Sequence, residues 1–159
     1  MIEKFNEGSI TGGDLLKDAV LFLEGTHRGK PYTKQDLHTL ANSFNKADNV
    51  PVQLDHSESA KDTVGFLESV SVQGGQLLGK LRIIDEKVKE RVDKGLMKKV
   101  SVSFYTDTTG KPTRLREVSL VAFPQVKGAE LFNESLSEDE QFYRNYVAGL
   151  GIGSRGRKL

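Results

Sequence analysis

Three absences limit what this chain can be. The sequence contains no cysteine, which excludes a thiol nucleophile, a zinc–thiolate site and a disulfide framework. Its longest hydrophobic run, residues 19–23, is far shorter than the roughly 20 residues of a membrane-spanning helix. Neither positive nor negative charge is in large excess, because the charges of 23 basic and 22 acidic residues nearly cancel. We therefore expect no overall field that attracts nucleic acid or an anionic membrane.

The start and the length of the chain indicate where the protein stays and how it is organised. The first residues lack the basic and then apolar order of a signal peptide, so we expect the protein to remain in the cytoplasm in which it is made. A length of 159 residues fits one domain with its own core. We expect this domain to occupy residues 1–148. Residues 149–159 are rich in glycine and arginine, which is typical of a flexible basic tail.

Three segments carry the signals of short helices. Between residues 34 and 45, apolar side chains recur at steps of three and four, and the preceding Thr33 can cap the helix. Asp85 can cap a second helix over residues 86–94. Residues 137–140 match the S-x-x-E capping box and predict a third helix near the end of the chain.

The rest of the pattern predicts strands joined by turns. Apolar or alternating runs of strand length lie between clusters of turn-forming residues. The predicted strands are residues 19–24, 50–54, 64–72, 77–84, 98–105 and 115–123. Gly74 and Gly75 suit a tight hairpin turn, and residues 106–112 join the last two strands in a second hairpin. Many strands with few short helices predict an α+β fold built on a β-barrel or a strongly bent sheet.

The last hairpin brings together side chains that could carry chemistry. Because strand side chains alternate, Ser101 and Ser103 share one face. Depending on the turn, the residue opposite Ser101 is either Glu117 or Ser119, at roughly 5 Å between Cβ atoms. His56 lies in the polar loop after the second predicted strand. A hydroxyl, an imidazole and a carboxylate are the groups that a serine-type acyl-transfer site requires.

Each of these residues also has a simpler interpretation. The serines can be the solvated face of a strand, Glu117 can be a surface ion-pair partner, and His56 can be a turn residue only. The acidic neighbours of His56 suggest a metal site, but His27 and His38 have no ligand spacing with it. We therefore expect no metal and no cofactor, with His27 in a turn and His38 on the exposed side of the first helix.

Several segments resemble, in their order and spacing, the prohead (capsid-maturation) serine proteases of tailed phages. They are Asp55-His56, residues 64–66, residues 98–104, residues 115–121 and Pro124. In that family a histidine precedes an apolar–glycine pair, a serine stands in an S-x-G-F-like strand, and a strand of the form L-x-E-V-S-L-V leads to a proline. Residues 25–33 and 37–45 are also similar to segments of the Mu-like phage proteases. The resemblance covers residues 20–131.

This resemblance implies a fold and a site. The fold is a herpes-protease-like β-barrel with short surrounding helices, similar to that of the herpesvirus assemblins and often dimeric. In the implied site, Ser101 is the nucleophile, His56 is the general base and Glu117 orients the imidazole. Ser103 stands where many relatives have glycine, which leaves the choice of serine open. The third member is a histidine in the assemblins, which leaves Glu117 open as well.

The resemblance also implies a biological role. A protein of this family is a serine endopeptidase that cleaves phage scaffold and head proteins, and its own chain, inside the assembling prohead in the host bacterial cytoplasm. The implied partners are the major capsid and scaffold proteins and further copies of the chain, with neither nucleic acid nor membrane. The alternative is a catalytically silent barrel that serves as a scaffold or capsid-assembly binding module. Arg114 or Arg116 could supply an oxyanion donor, but the sequence does not place them.

Overall fold

The structure is built mainly from strands. It is a computed structural model that describes residues 13–132. The strands are β1 (Leu15–Leu23), β2 (Gly25–His27), β3 (Lys30–Tyr32), β4 (Pro51–Leu54), β5 (Gly65–Gln73), β6 (Gln76–Ile83), β7 (Lys99–Thr106), β8 (Pro112–Val121) and β9 (Glu130–Leu131). The helices are α1 (Lys34–Ser43) and α2 (Glu86–Asp93), with single 3-10 turns at Lys46–Asp48 and Ala60–Asp62.

The long strands close into a barrel in the order β1-β6-β5-β4-β8-β7-β9. Neighbouring strands are antiparallel except for β4 and β8, which run parallel. The two-residue strand β9 completes the ring, because it pairs with β1 at Ala19 and Val20 and with β7 at Lys99. Strands β2 and β3 form a separate small hairpin. The α+β barrel predicted from the sequence is confirmed.

All the barrel strands and both helices contribute to one buried hydrophobic cluster. Its largest fully buried members are Leu21, Leu37, Leu40, Val52, Leu67, Leu77, Leu81, Ile83, Val100 and Val118. Each such side chain contributes roughly 1.5–3 kcal/mol when it leaves water. The strands that hold the site described below are therefore fixed by the core on their inner face.

The signals at the helix ends and the glycine turn are confirmed. Thr33 caps α1 in a capping box with Asp36, and the side chain of Asp85 accepts from the N–H of Val88 at the start of α2. Gly74, with a φ of 61°, lies in the turn between β5 and β6. In each case a short polar side chain or a glycine supplies the local geometry that the sequence predicted.

Other elements differ from the predictions or lie beyond the described residues. Strand β1 begins at Leu15 rather than residue 19, since residues 15–18 also pair with β6 and Lys80 forms an ion pair with Asp18 at 2.8 Å. The connection predicted as a turn contains the β2–β3 hairpin. The predicted third helix and the basic tail lie outside residues 13–132. Neither helix in that range is long and apolar enough to cross a membrane.

We expect the partly buried pair of Glu68 and Arg82 to make stability depend on pH. The Arg82 guanidinium donates to both carboxylate oxygens of Glu68, at 2.8 and 3.0 Å, and lowers the pKa of Glu68 from 4.5 to about 2, although burial opposes this. The resulting stability is present above the unfolded pKa and is lost as pH falls toward 2. The free energy of unfolding in urea, measured between pH 2 and 6, should fall by up to about 1.4 kcal/mol per pH unit from this proton.

The variant Glu68→Gln should lose this part of the acid dependence. The matched control is Glu90→Gln, because Glu90 forms a solvent-exposed ion pair with Lys94 and such pairs contribute little. An equal acid slope in the two variants would contradict the assignment.

Candidate active site

His56 lies in a strained two-residue turn at the end of β4. Asp55 and His56 have positive φ angles of 52° and 58°, and the N–H of Ser57 donates to the carbonyl of Leu54 at 2.9 Å. These are the features of a type I′ turn, whose left-handed backbone costs energy for residues other than glycine, although Asn, Asp and His adopt it more often than other side chains. The surrounding structure must therefore hold the turn in place.

Strand β8 and the side chain of Gln53 supply that support. The N–H of Asp55 donates to the carbonyl of Leu120 at 3.0 Å. The Gln53 side chain is only 4% exposed. Its amide donates to the carbonyls of Ser57 and Ser59 at 2.9 and 3.1 Å, and its oxygen accepts from the Thr63 hydroxyl. The loop that carries His56 is thus tied to β8 just before the histidine and to β4 after it.

A β-bulge in β8 determines where Glu117 points. Ser103 pairs with Glu117 but the next residue, Phe104, pairs with Leu115, so Arg116 is an extra residue in β8. In a regular strand Leu115 and Glu117 would share a face. The bulge instead leaves Leu115 in the core and Glu117 on the face of the serines.

The Glu117 carboxylate is the centre of the site, and it is only 5% exposed. One oxygen, Oε2, lies 2.6 Å from His56 Nδ1 and accepts from the Ser103 hydroxyl at 2.5 Å. The other, Oε1, accepts from the Ser119 hydroxyl at 2.6 Å. An ionised carboxylate only accepts hydrogen bonds, so the proton between His56 and Glu117 belongs on Nδ1. The Nε2 atom is then the free, basic nitrogen of the ring.

Ser101 lies beside this network. It pairs with Ser119 across the β7–β8 ladder, and Ser119 in turn accepts from the N–H of His56 at 2.8 Å. Ser101 is only 3% exposed. Its Oγ atom and Nε2 of His56 are both buried, and within residues 13–132 neither has a hydrogen-bond partner. A potential proton donor and a potential acceptor, both buried, are therefore left unpaired in the part of the chain that the structure describes.

The structure separates the predicted candidates into those near the carboxylate and those elsewhere. His56 contacts Glu117 directly, and of the two alternatives opposite Ser101 the register selects Ser119. Arg116 forms an exposed pair with Glu58 at 2.8 Å, which raises the pKa of Arg116.

Three other candidates are engaged away from the carboxylate. Arg114 stacks over the Tyr105 ring at 4.5 Å. His27 donates from Nε2 to the carbonyl of Leu23, at 2.7 Å, and His38 is exposed on α1 as predicted.

Sequence reasoning missed two residues that support the site. Gln53 gives no signal in the sequence, because its role depends on the loop that folds back over it. Ser119 had a signal, since it alternates with Glu117 and was one of the two candidates opposite Ser101. Within residues 13–132, no three His, Asp or Glu side chains gather as a metal site.

Comparisons with known proteins give a fold and no family. No protein-family model and no curated protein sequence matches the chain. Among solved structures, it is similar to the protease of Kaposi's sarcoma-associated herpesvirus in complex with a dimer disruptor, with 10% identity, 85% of this chain and 90% of that chain covered, and a TM-score of 0.50. The complex of this protease with a hexapeptide phosphonate inhibitor has 11% identity, coverages of 84% and 76%, and a TM-score of 0.46. The first of these shows the predicted herpes-protease-like barrel, and at this identity it shows the fold alone.

We expect the strained turn to make Asp55 sensitive to side-chain shape. Asp55 is exposed, so its replacement disturbs little packing. Asp55→Val places a β-branched residue at positive φ and should lower the free energy of unfolding by about 1–3 kcal/mol. Asp55→Asn should change it by less than about 0.5 kcal/mol, because asparagine tolerates this conformation. Urea unfolding measures both, and equal stabilities would argue against a turn of this shape.

Proposed function

We propose that the chain is a serine endopeptidase in which Ser101, His56 and Glu117 act together. The observation that carries the proposal is the imidazole of His56. Glu117 holds it through Nδ1 at 2.6 Å, and among the described residues neither Nε2 nor the buried Ser101 hydroxyl has another hydrogen-bond partner. An activated serine needs a base that is held by a third group in this way.

The hydrogen bonds favour Ser101 over Ser103 as the nucleophile. The Ser103 hydroxyl donates to Oε2 of Glu117, the same oxygen that faces Nδ1 of His56. Ser103 therefore lies on the Nδ1 side of the imidazole, which faces Glu117. Its hydroxyl proton is already used in the hydrogen bond to that carboxylate. Ser101 has no such partner within residues 13–132, so no other group holds its proton.

The reaction then follows the ordinary steps of acyl transfer. Nε2 of His56 takes the proton of Ser101 as Oγ attacks the scissile carbonyl carbon, and Glu117 stabilises the imidazolium. The imidazolium gives the proton to the leaving amine as the C–N bond breaks. Water, activated by the same nitrogen, hydrolyses the acyl ester and restores the serine.

The substrate class rests on the sequence resemblance. Together with the barrel shared with a herpesvirus protease, it supports cleavage of phage scaffold and head proteins, and of the chain itself, inside a prohead in the bacterial cytoplasm. It also supports self-association, since that herpesvirus protease is a target of a dimer disruptor. Because Ser101 is buried, a substrate carbonyl reaches Oγ only when the site opens. Assembly is a natural trigger for such an opening.

One observation favours a second candidate, a catalytically silent barrel that acts as a scaffold or capsid-assembly binding module. No hydrogen bond joins the Ser101 hydroxyl to Nε2 of His56. Catalytic hydrogen bonds are often long before substrate binds, so this favours the silent module only weakly. Chemical reactivity separates the two candidates.

We expect a fluorophosphonate serine-hydrolase probe to label the protein at Ser101. Ser101→Ala and His56→Ala should abolish labelling, with rate losses of up to about a millionfold by analogy with other triads. Ser103→Ala should label more slowly but still label, because it removes only a donor to Glu117. Mass spectrometry of the labelled peptide, over a range of protein concentrations, identifies the site and any dependence on self-association.

The control is Ser71→Ala, which removes an exposed strand serine from β5 and should label at the unaltered rate. Labelling that survives Ser101→Ala would refute the assigned nucleophile. A folded protein that is never labelled at any concentration would favour the silent module.

We expect Glu117→Gln to reduce the labelling rate by roughly 10⁴-fold, as for the equivalent change in other triads. An amide nitrogen facing Nδ1 donates to it, which moves the ring proton to Nε2 and prevents that atom from accepting the serine proton. Glu58→Gln is the matched control, because Glu58 is exposed and pairs with Arg116. A labelling rate that is similar in the two variants would exclude Glu117 as the orienting residue.

A further inference from the structure

Ser119 occupies an unusual position in the site. It is 0% exposed, and it stands in β8 with Gln53 of β4 as its neighbour on one side and Ser101 of β7 on the other. Its side chain is on the face that carries Glu117. A buried hydroxyl needs partners, and the identity of these partners gives Ser119 its role.

Both partners of the Ser119 hydroxyl belong to the proposed catalytic triad of Ser101, His56 and Glu117. Oγ donates to Oε1 of Glu117 at 2.6 Å and accepts from the backbone N–H of His56 at 2.8 Å. One atom thus fixes the carboxylate and the backbone of the histidine relative to each other. The side-chain contact between His56 and Glu117, at 2.6 Å, closes the ring.

This link acts where the backbone is least stable by itself. His56 has a φ of 58°, a conformation that a non-glycine residue holds only when its surroundings impose it. The Ser119 hydroxyl is the acceptor for its N–H. Without that acceptor, the turn loses its tie to β8 at the histidine itself, and the ring is freer to leave the carboxylate.

We propose that Ser119 is a positioning residue, which keeps the proton of neutral His56 on Nδ1 by holding Glu117 and the His56 backbone in register. This inference rests on the proposed function for its catalytic meaning. The Nδ1–H tautomer itself can be tested whether or not the protein is an enzyme. Ser103 also donates to Glu117 but does not touch the His56 backbone, so the two serines have different roles.

The tautomer can be measured directly by NMR of ¹⁵N-labelled protein at a pH where His56 is neutral. The His56 ring signal is identified by its loss in His56→Gln. In the unaltered protein, the ring nitrogen shifts should show Nδ1 as the protonated atom. Ser119→Ala should shift the population toward Nε2–H, the form that neutral histidine prefers in water, and should lower the rate constant of fluorophosphonate labelling roughly 10²-fold, the scale of a misplacement of about 1 Å.

Two further variants keep the test decisive. Ser71→Ala, on the exposed face of β5, should leave the His56 signals unaltered. If Ser119→Ala does not fold, Ser119→Cys has nearly the same shape, and its thiol is a weak donor and a weak acceptor. It should therefore cause the same shift to a smaller extent.

The outcomes separate this inference from the proposed function. An Nδ1–H tautomer that is unchanged in a folded Ser119→Ala or Ser119→Cys variant overturns the positioning role, whatever the activity. Absence of labelling in the unaltered protein overturns the proposed function only. A tautomer shift together with slower labelling supports both.

Discussion

The site depends on one extra residue in β8. With a regular ladder, the strand that keeps Val118 and Leu120 in the core would point Leu115 and Glu117 to the same side. Both would then face away from the core, and exposure of Leu115 would forfeit roughly 1.5–3 kcal/mol of hydrophobic stabilisation. Because of the bulge at Arg116, Leu115 faces the core while Glu117 faces the serines. Glu117 thereby reaches the serines and the histidine from a strand that is fixed by the core.

The Glu117 carboxylate then organises polar groups from two other strands. His56 comes from the end of β4 and Ser103 from β7, while Ser119 is on the same strand as Glu117. Three donors on two buried oxygens explain how a nearly inaccessible carboxylate is tolerated. Because β4 and β8 run parallel, the His56 turn leaves β4 alongside Ser119. The barrel strands thus determine where the polar residues of the site lie, and the hydrogen bonds to Glu117 determine how their side chains are oriented.

Local features of this fold could be predicted from the sequence, and the non-local ones could not. The helix caps at Thr33 and Asp85 and the β7–β8 hairpin depend on neighbouring residues, and the structure has them. The bulge at Arg116 has no local signal, because the sequence of β8 also fits a regular strand without a bulge. The parallel pairing of β4 with β8 joins distant segments, and it is what brings His56 to Glu117. Period-two alternation predicted the shared face of the serines, whereas the choice of hydroxyl required the hydrogen bonds.

The two buried groups without hydrogen-bond partners bear on the function of the site as well as on its geometry. A buried polar atom without a partner costs about 1–3 kcal/mol, and within residues 13–132 both Ser101 Oγ and His56 Nε2 are in this state. Alanine at position 101 would relieve the first cost with little loss of packing in a strand flanked by valines. A barrel that served only as a binding module would gain stability from that change. The proposed protease has a use for this hydroxyl, because its serine must transfer a proton to the imidazole of His56.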